Sequence, residues 1–400
     1  MEHLKTLINE TCPNGVEYKK LGEIATDIYR GSGIKREQIT PIGTPCVRYG
    51  EIYTTYGIWF DECISHTDAT TISSPKYFEH GDILFVITGE SVEDIAKSTA
   101  YVGHEKCLAG GDIVVLKHTQ NPKYLSYALA TTNARKQKSS GKVKSKVVHS
   151  SVPAIKDIVV PLPPLPIQSE IVKILDNFTE LTAELTAELT ARKKQYEYYR
   201  DLLLSFDSSQ SVNVERSTVK WVALREIADI SRGKVISKDF IHDNPGIYPV
   251  YSSQTQNNGE LGKISSFDYC GEYLTWTTDG ANAGSIFYRT GKFSITNVCG
   301  LLSPHTDVIY TRFLFHILTT IAKSYVNAGM GNPKLMSNIM ANIKIPVPSI
   351  EMQKNITAIL DRFDALCNDL TSGLPAEIAA RQKQYEYYRD KLLTFKELTA

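Results

Sequence analysis

The chain has no net charge, no clustered cysteines and no long apolar run, and each absence removes a class of protein. Lys+Arg and Asp+Glu both number 44 in 400 residues, so global charge points to no nucleic acid or membrane, and any such partner has to be argued from local patches. The seven cysteines (Cys12, Cys46, Cys63, Cys107, Cys270, Cys299, Cys367) form no CxxC pair and no Cys/His cluster at zinc spacing, which predicts free thiols in a reducing compartment. The longest apolar stretches, Ile83–Ile87 and the proline-broken Ile158–Ile167, fall short of the roughly 20 residues a membrane helix needs. The N-terminal MEHLKTLINE shows no basic-then-apolar signal pattern, so a soluble, cytoplasmic protein is expected.

Catalytic signatures are missing as well. There is no GxxxxGK(S/T) phosphate loop, no HExxH pair, no GxSxG elbow with triad partners and no (N/D)PP(Y/F) tetrapeptide; Asn332-Pro333 is followed by Lys334. Glu17-Tyr18-Lys19 matches the end of a nuclease motif but lacks the upstream aspartate. An enzyme with an unrecognised site stays open, against the absence of any clustered acid, base or metal set. The residues read as a binding protein rather than an enzyme.

What is present is a tandem repeat, which has to be found before the fold is read. QYEYYRDLLLSF (195–206) and QYEYYRDKLLTF (384–395) agree at ten of twelve positions at an offset of 189. PLPPLPIQSEIVKILDNF (161–178) matches PVPSIEMQKNITAILDRF (346–363) at an offset of 185, and YKKLGEIATDIYRG (18–31) matches WVALREIADISRG (221–233). Each half is a variable block followed by a shared segment. The variable blocks mix short β-like runs, glycine and asparagine turns and one helical stretch, giving a mixed α/β (α+β) fold class with pseudo-two-fold duplication. The boundaries expected are a first globular domain at 1–163, a first long helix at 164–207, a second globular domain at 208–348 and a second long helix at 349–400. The polar Asp207–Ser217 segment reads as a linker.

The shared segments carry apolar residues three and four apart: Ile171, Phe178, Leu185, Leu189, Tyr196 and Tyr199 in the first, Ile356 and Phe363 with Tyr385 and Tyr388 in the second. That spacing lays a stripe along one helical face. The first segment, continuous over 39 residues, would be about 58 Å long. In the second, Ser372, Gly373 and Pro375 predict a kink or break. The two stripes could bury each other as an antiparallel pair, or each helix could pack on its own globular half. ELTAELTAELTA (180–191) repeats every four residues; each copy advances a helix about 6 Å and turns it about 40° past a full turn, so it reads as an adjustable spacer.

The binding candidates lie in the variable blocks. RKQKSSGKVKSK holds six cations and no acid, namely Arg135, Lys136, Lys138, Lys142, Lys144 and Lys146. The matching stretch of the second half, from Lys323 to Lys334, is rich in glycine and asparagine and includes Asn332. Such loops suit a phosphate backbone, or are simply solvated. Each block also opens with an Arg-Gly turn followed by cations: Arg30, Lys35, Arg36, then Arg48 and Tyr49 in the first; Arg232, Lys234, Lys238, then Ser252 and Gln254 in the second. Arg, Gln, Asn and Ser can hydrogen-bond base edges. WTTDGANAGS (276–285), with Asn282, would let a backbone approach a ligand closely, or form a tight hairpin.

With the repeats in view, nearly the whole chain resembles the specificity subunit of type I restriction-modification systems. The resemblance rests on VEYKKLGEI near the start, KLMSNIMANIKIPVPSIEMQKNI (334–356), its partner VKSKVVHSSVPAIKDIVVPLPPLPIQSEIV (143–172), both QYEYYRD copies and the TAEL spacer. It implies two target-recognition domains, each reading one half of a bipartite double-stranded DNA target, separated by two long antiparallel helices. Those helices would set the unread spacer and dock two modification (methyltransferase) subunits, through the stripe from Ile171 to Tyr388. Restriction subunits would join that core and direct restriction beside adenine methylation. S-adenosylmethionine, ATP and magnesium would belong to the partners, leaving this chain non-catalytic and without a metal. A stand-alone DNA-binding or scaffold protein of the same lineage is the alternative.

Overall fold

A computed structural model of the chain describes residues 2–140, 147–206, 219–327, 331–369 and 371–398. The expected linker lies outside the described residues. Two compact units emerge: residues 1–186 together with 377–400, and residues 187–376. The 40-residue helix Leu165–Leu204 runs from one unit into the other, so the units divide the helices that the sequence boundaries kept whole. Among the described residues no helix is long and apolar enough to cross a membrane. The cysteines are unpaired, with Cys46, Cys107, Cys299 and Cys367 buried.

In the first unit, Ile83–Val86 and Ile113–His118 lie inside a five-stranded sheet flanked by Ala25–Arg30 and by Ser98–Tyr101 with Trp59–Phe60. Successive strand residues face opposite sides. Ile83, Phe85, Val114 and Leu116 therefore enter one core with Tyr124, Tyr127, Ile171 and Leu175, while Leu84, Val86, Ile113 and Val115 enter a second with Phe78, Tyr101 and Cys107. Apolar on both faces, these strands read as unbroken hydrophobic runs. Beyond the second core lies another five-stranded sheet of short strands, from Ile39–Thr40 to Tyr77–Phe78.

The second unit has one six-stranded sheet, ordered Ala228–Arg232, Cys299–Pro304, Tyr269–Thr277, Ile286–Ile295, Pro245–Tyr251 and Glu260–Ile264. Leu274, Trp276 and Leu302 pack on Phe313, Leu314 and Ile317 of helix Thr311–Ile321, and on Ile356 and Leu360 of helix Ile350–Asn368.

Each unit fastens its sheet to its helices with the same device. Gln168, fully buried, accepts from the Asn121 amide (3.0 Å) and donates to the Gln120 side chain and the Pro163 carbonyl (2.8 Å each). Gln353, at the repeat-equivalent place and as buried, accepts from the Tyr310 amide (2.7 Å) and donates to the Pro348 (2.8 Å) and Val308 (3.1 Å) carbonyls. Two turns on, Asp176 takes Lys123 Nζ (2.8 Å) and the Tyr127 hydroxyl (2.7 Å), whereas Asp361 takes Arg312 Nε (2.9 Å) and His316 Nε2 (2.7 Å). Burial holds His316 below its ordinary titration range, with Asp361 opposing.

The helix pairs repeat as well. Phe178 stacks on Tyr388 at 5.4 Å and 24° in the first unit; Phe363 stacks on Tyr199 at 5.8 Å and 27° in the second. The break predicted at Ser372–Pro375 is present. Helix Ile350–Asn368 stops, Gly373 donates its amide to the Asp369 carbonyl (3.0 Å), and helix Leu374–Leu392 starts with Pro375 in its first turn. A Cβ on Gly373 would lie 2.5 Å from the Ala365 carbonyl oxygen, so a side chain there would clash with the end of the preceding helix. Asp369 accepts from the Thr371 amide and the Thr371 and Ser372 hydroxyls, which holds its carboxyl below the usual carboxylate range.

Candidate nucleic-acid interface

The Arg-Gly turns lie at matching places where two strands of the same unit come into contact. A Cβ on Gly31 would lie 2.2 Å from the Gly110 carbonyl oxygen, and one on Gly233 would lie 2.1 Å from that of Ile295. Only glycine fits such an approach, and bridges Ser32–Gly110 and Lys234–Thr296 extend both pairings. The arginine before each glycine is thereby fixed at the rim of its sheet.

In the second unit Arg232 donates to the Thr278 hydroxyl (2.5 Å) and lies 3.5 Å from Asp279, whose other oxygen is 3.9 Å from Lys334. The turn containing exposed Asn282 packs on the segment carrying Lys323, since a Cβ on Gly284 would come 3.3 Å from Lys323 Cα. The small residues of WTTDGANAGS thus admit the protein's own backbone, as a tight hairpin would. Lys234 pairs with Asp268 (2.6 Å). Its backbone partner Thr296 donates to the Ser252 hydroxyl (3.0 Å), and Gln254 is turned onto the Glu260 carbonyl. Arg232, Lys234, Ser252, Asn282, Lys323 and Lys334 are in this way tied to one connected set of turns. Asn332 is exposed beside it, and Lys238 opens the short helix Lys238–Asp243.

The rim of the first unit is built alike with other residues. Arg30 pairs with Asp112 (2.6 Å) and donates to the Gly111 carbonyl; exposed pairs of this kind add little stability but aim the side chain. Arg48 backs onto Gly110, where a Cβ would come 3.3 Å from its Cα, and its guanidinium faces buried Glu51 at 3.4 Å. Tyr49 is exposed, as are Lys35 and Arg36 at the turn Arg36–Gln38.

The basic run divides. Arg135 and Lys136 are exposed on helix Thr132–Ser139, and Lys142, Lys144 and Lys146 lie outside the described residues. Lys138 corrects the expectation of an open phosphate contact: it is 7% exposed. It falls one turn after buried Ala134, on the face that packs inward.

The helix stripe is also corrected as a surface. Ile171, Ile356 and Tyr385 are buried within their own units, and Phe178, Tyr388, Phe363, Tyr196 and Tyr199 are engaged in ring contacts there. Leu185 and Leu189 are half-buried. The ring contacts join the helices of each pair. The aromatics left open are Tyr198 (65% exposed) and Tyr387 (60%), the same tyrosine in the two QYEYYRD copies. Its recurrence beside inward-facing tyrosines was the signal that periodicity alone missed.

The model of the type I restriction modification DNA specificity domain matches residues 13–192 and again 216–380. The chain belongs to this family. A Mycoplasma pneumoniae protein assigned as a type I specificity subunit is 44% identical over 234 residues, 58% of this chain and 92% of that one. The specificity subunit of the Escherichia coli restriction enzymes EcoR124I and EcoR124II is 38% identical over 268 residues, 60% of this chain and 63% of its own. The crystal structure of a type I S subunit from M. genitalium superposes with a TM-score of 0.59, covering 95% of this chain and 96% of that one at 17% identity. At that identity the likeness shows the fold. Each match covers one repeat up to just short of its QYEYYRD copy, so this type I specificity subunit is a tandem duplication of one DNA specificity domain.

Proposed function

We propose that each unit presents its Arg-Gly rim to one half of a bipartite double-stranded DNA target, and that the chain itself performs no chemistry. The observation that carries this is the contrast within each unit. The Gln168/Gln353 and Asp176/Asp361 fastenings repeat, while the rims carry different side chains on the same backbone pairing. Repeated scaffolds suit two identical partners; divergent rims suit two different half-sites.

On this reading Tyr198 and Tyr387, with the helix ends around them, dock two methyltransferase subunits, and restriction subunits add to that core in the cytoplasm. S-adenosylmethionine, ATP and magnesium are held by those partners, and adenine methylation or cleavage is theirs. Arg30, Arg48 and Arg232 are the candidates to read base edges; Lys35, Arg36, Arg135, Lys136, Lys142, Lys144, Lys146, Lys234, Lys238, Lys323 and Lys334 are those to hold phosphates.

The test is methylation sequencing of DNA from cells expressing this chain with its methyltransferase subunit. A new bipartite methylated motif is expected, and none with an active, bound partner would refute the reading. One added TAEL copy should lengthen the spacer of that motif by about one or two base pairs, from about 6 Å of helix against 3.4 Å per base-pair step. An unchanged spacer would remove the ruler role.

A further inference from the structure

Within the first unit a cavity of about 680 Å³ opens between the sheet, helix Thr132–Ser139, the long helix and helix Leu374–Leu392. That is within the size range of pockets for small organic ligands. Ile58, Trp59, Ile95, Leu129 and Ala183 give it apolar walls. Its polar groups are unusual for a protein interior. Among the described residues no carboxylate pairs with Lys138, which lies there: its ammonium donates to the Ser98 hydroxyl (3.1 Å) and lies 5.7 Å from the Phe85 ring. The Tyr385 hydroxyl is buried and has no hydrogen-bond acceptor among the described residues. Lys97 reaches only the Tyr53 carbonyl (3.2 Å), and Arg389, buried beside the Tyr385 ring, has its carboxylate in Asp390 (2.8 Å).

A buried ammonium without a counter-ion and a buried hydroxyl without an acceptor are both costly, and a single bound anion would satisfy both. We propose that this cavity binds a small organic anion, a carboxylate or phosphate head on a flat apolar body, with its head between Lys138 and Tyr385. The site is particular to the first unit. Tyr385 and Arg389 recur as Tyr196 and Arg200 in the second unit, but at the 189-residue offset that matches Lys123 to Arg312, Lys138 falls on Asn327. It therefore has no counterpart in the second unit, although Arg135 in its lining is also among the residues proposed to hold phosphates.

Binding should be coupled to proton uptake. Burial, with the Arg135 charge adding, pushes Lys138 down to about 7, so it is partly neutral before the anion arrives and charged afterwards. Facing it are Lys97, Glu93 and Asp94 from one segment, and Glu180 from the long helix. Tyr53, Arg135, Tyr385 and Arg389 also line the cavity. Of these, the Lys97 ammonium is also held down by burial, with Asp94 opposing.

The experiment is calorimetric titration of the full chain near neutral pH with benzoate, AMP and inorganic phosphate, in two buffers of different ionisation heat. Benzoate or AMP should bind with a Kd below about 1 mM and inorganic phosphate more weakly; whichever organic anion binds tells a carboxylate head from a phosphate head. Part of a proton should be taken up. Lys138→Met should weaken binding at least about tenfold, and Tyr385→Phe, which removes one oxygen, several-fold. No binding of either organic probe, binding without proton uptake, or binding unchanged in a folded Lys138→Met chain would overturn the proposal.

Discussion

The two units share a helix side and differ on the sheet side. In both, a buried glutamine ties a proline-led helix start to the head of the helix beneath the sheet, an aspartate two turns on takes a cation and a second donor, and a Phe–Tyr stack closes the helix pair. Above that base, the first unit has two five-stranded sheets around two cores and the second a single six-stranded sheet. The fastenings are demanding because each polar group is buried with a specified partner; the sheets can vary because apolar cores accept many residue combinations. A duplicated chain of this kind can therefore change what it reads without changing what it stands on.

The sharpest way to break the comparison is through the glutamines. Gln168→Ala strands an amide, a carbonyl and the Gln120 side-chain oxygen, and Gln353→Ala an amide and two carbonyls, so each should destabilise its own unit by about 3–5 kcal/mol. Hydrogen exchange resolved along the chain would show the loss confined to one unit in each variant. Equal loss in both units from either variant would mean the two fastenings are not independent.

Lys138 exposes a difference instead of a likeness. Its folded value, about 7, lies below the roughly 10.4 of an exposed lysine. The unfolded chain therefore holds the proton more strongly between those limits, and this group's contribution to the stability of the first unit rises with pH across that window. Lys138→Met should raise the stability of the first unit at neutral pH by about 2 kcal/mol and flatten that rise. Denaturation followed by probes in each unit, at neutral and mildly alkaline pH, would check it; an unstabilised variant with the pH slope intact would show that Lys138 is hydrated.

The smallest effects belong to the rims. Arg30→Ala leaves an exposed pair behind, so folding should change by less than about 0.5 kcal/mol, whereas Arg232→Ala breaks a half-buried pair and a bond to the buried Thr278 hydroxyl and should cost about 1 kcal/mol. DNA binding by the assembled complex should weaken by about 1–3 kcal/mol if these side chains read bases. A melting curve and a binding isotherm on the same preparation separate the two.

How far the residues themselves announced this depends on the range of the interaction. The helix starts, the break at Gly373-Pro375 and the repeated glutamines follow from proline and glycine chemistry and from the register of the repeats, all local. The Arg-Gly turns were visible because glycine marks close backbone approach, although the partners Gly110 and Ile295 were not. The inward face of Lys138 was hidden, because a run of cations shows its charge but not which turn of the helix meets a sheet. Likewise the stripe that looked open for other chains is covered by ring contacts between segments some 160–210 residues apart, such as Phe363 on Tyr199 and Phe178 on Tyr388. The second sheet of the first unit escaped because its strands have two to four residues, too few to show a period.

The central claim, one half-site per rim, is tested most directly by methylation sequencing of the complex carrying Arg232→Ala with Lys334→Ala beside the unaltered complex. The account predicts that one half of the bipartite motif relaxes or is lost while the other half and the spacer stay as they were. Relaxation of both halves together, or of neither in a complex that still binds its partners, would contradict it.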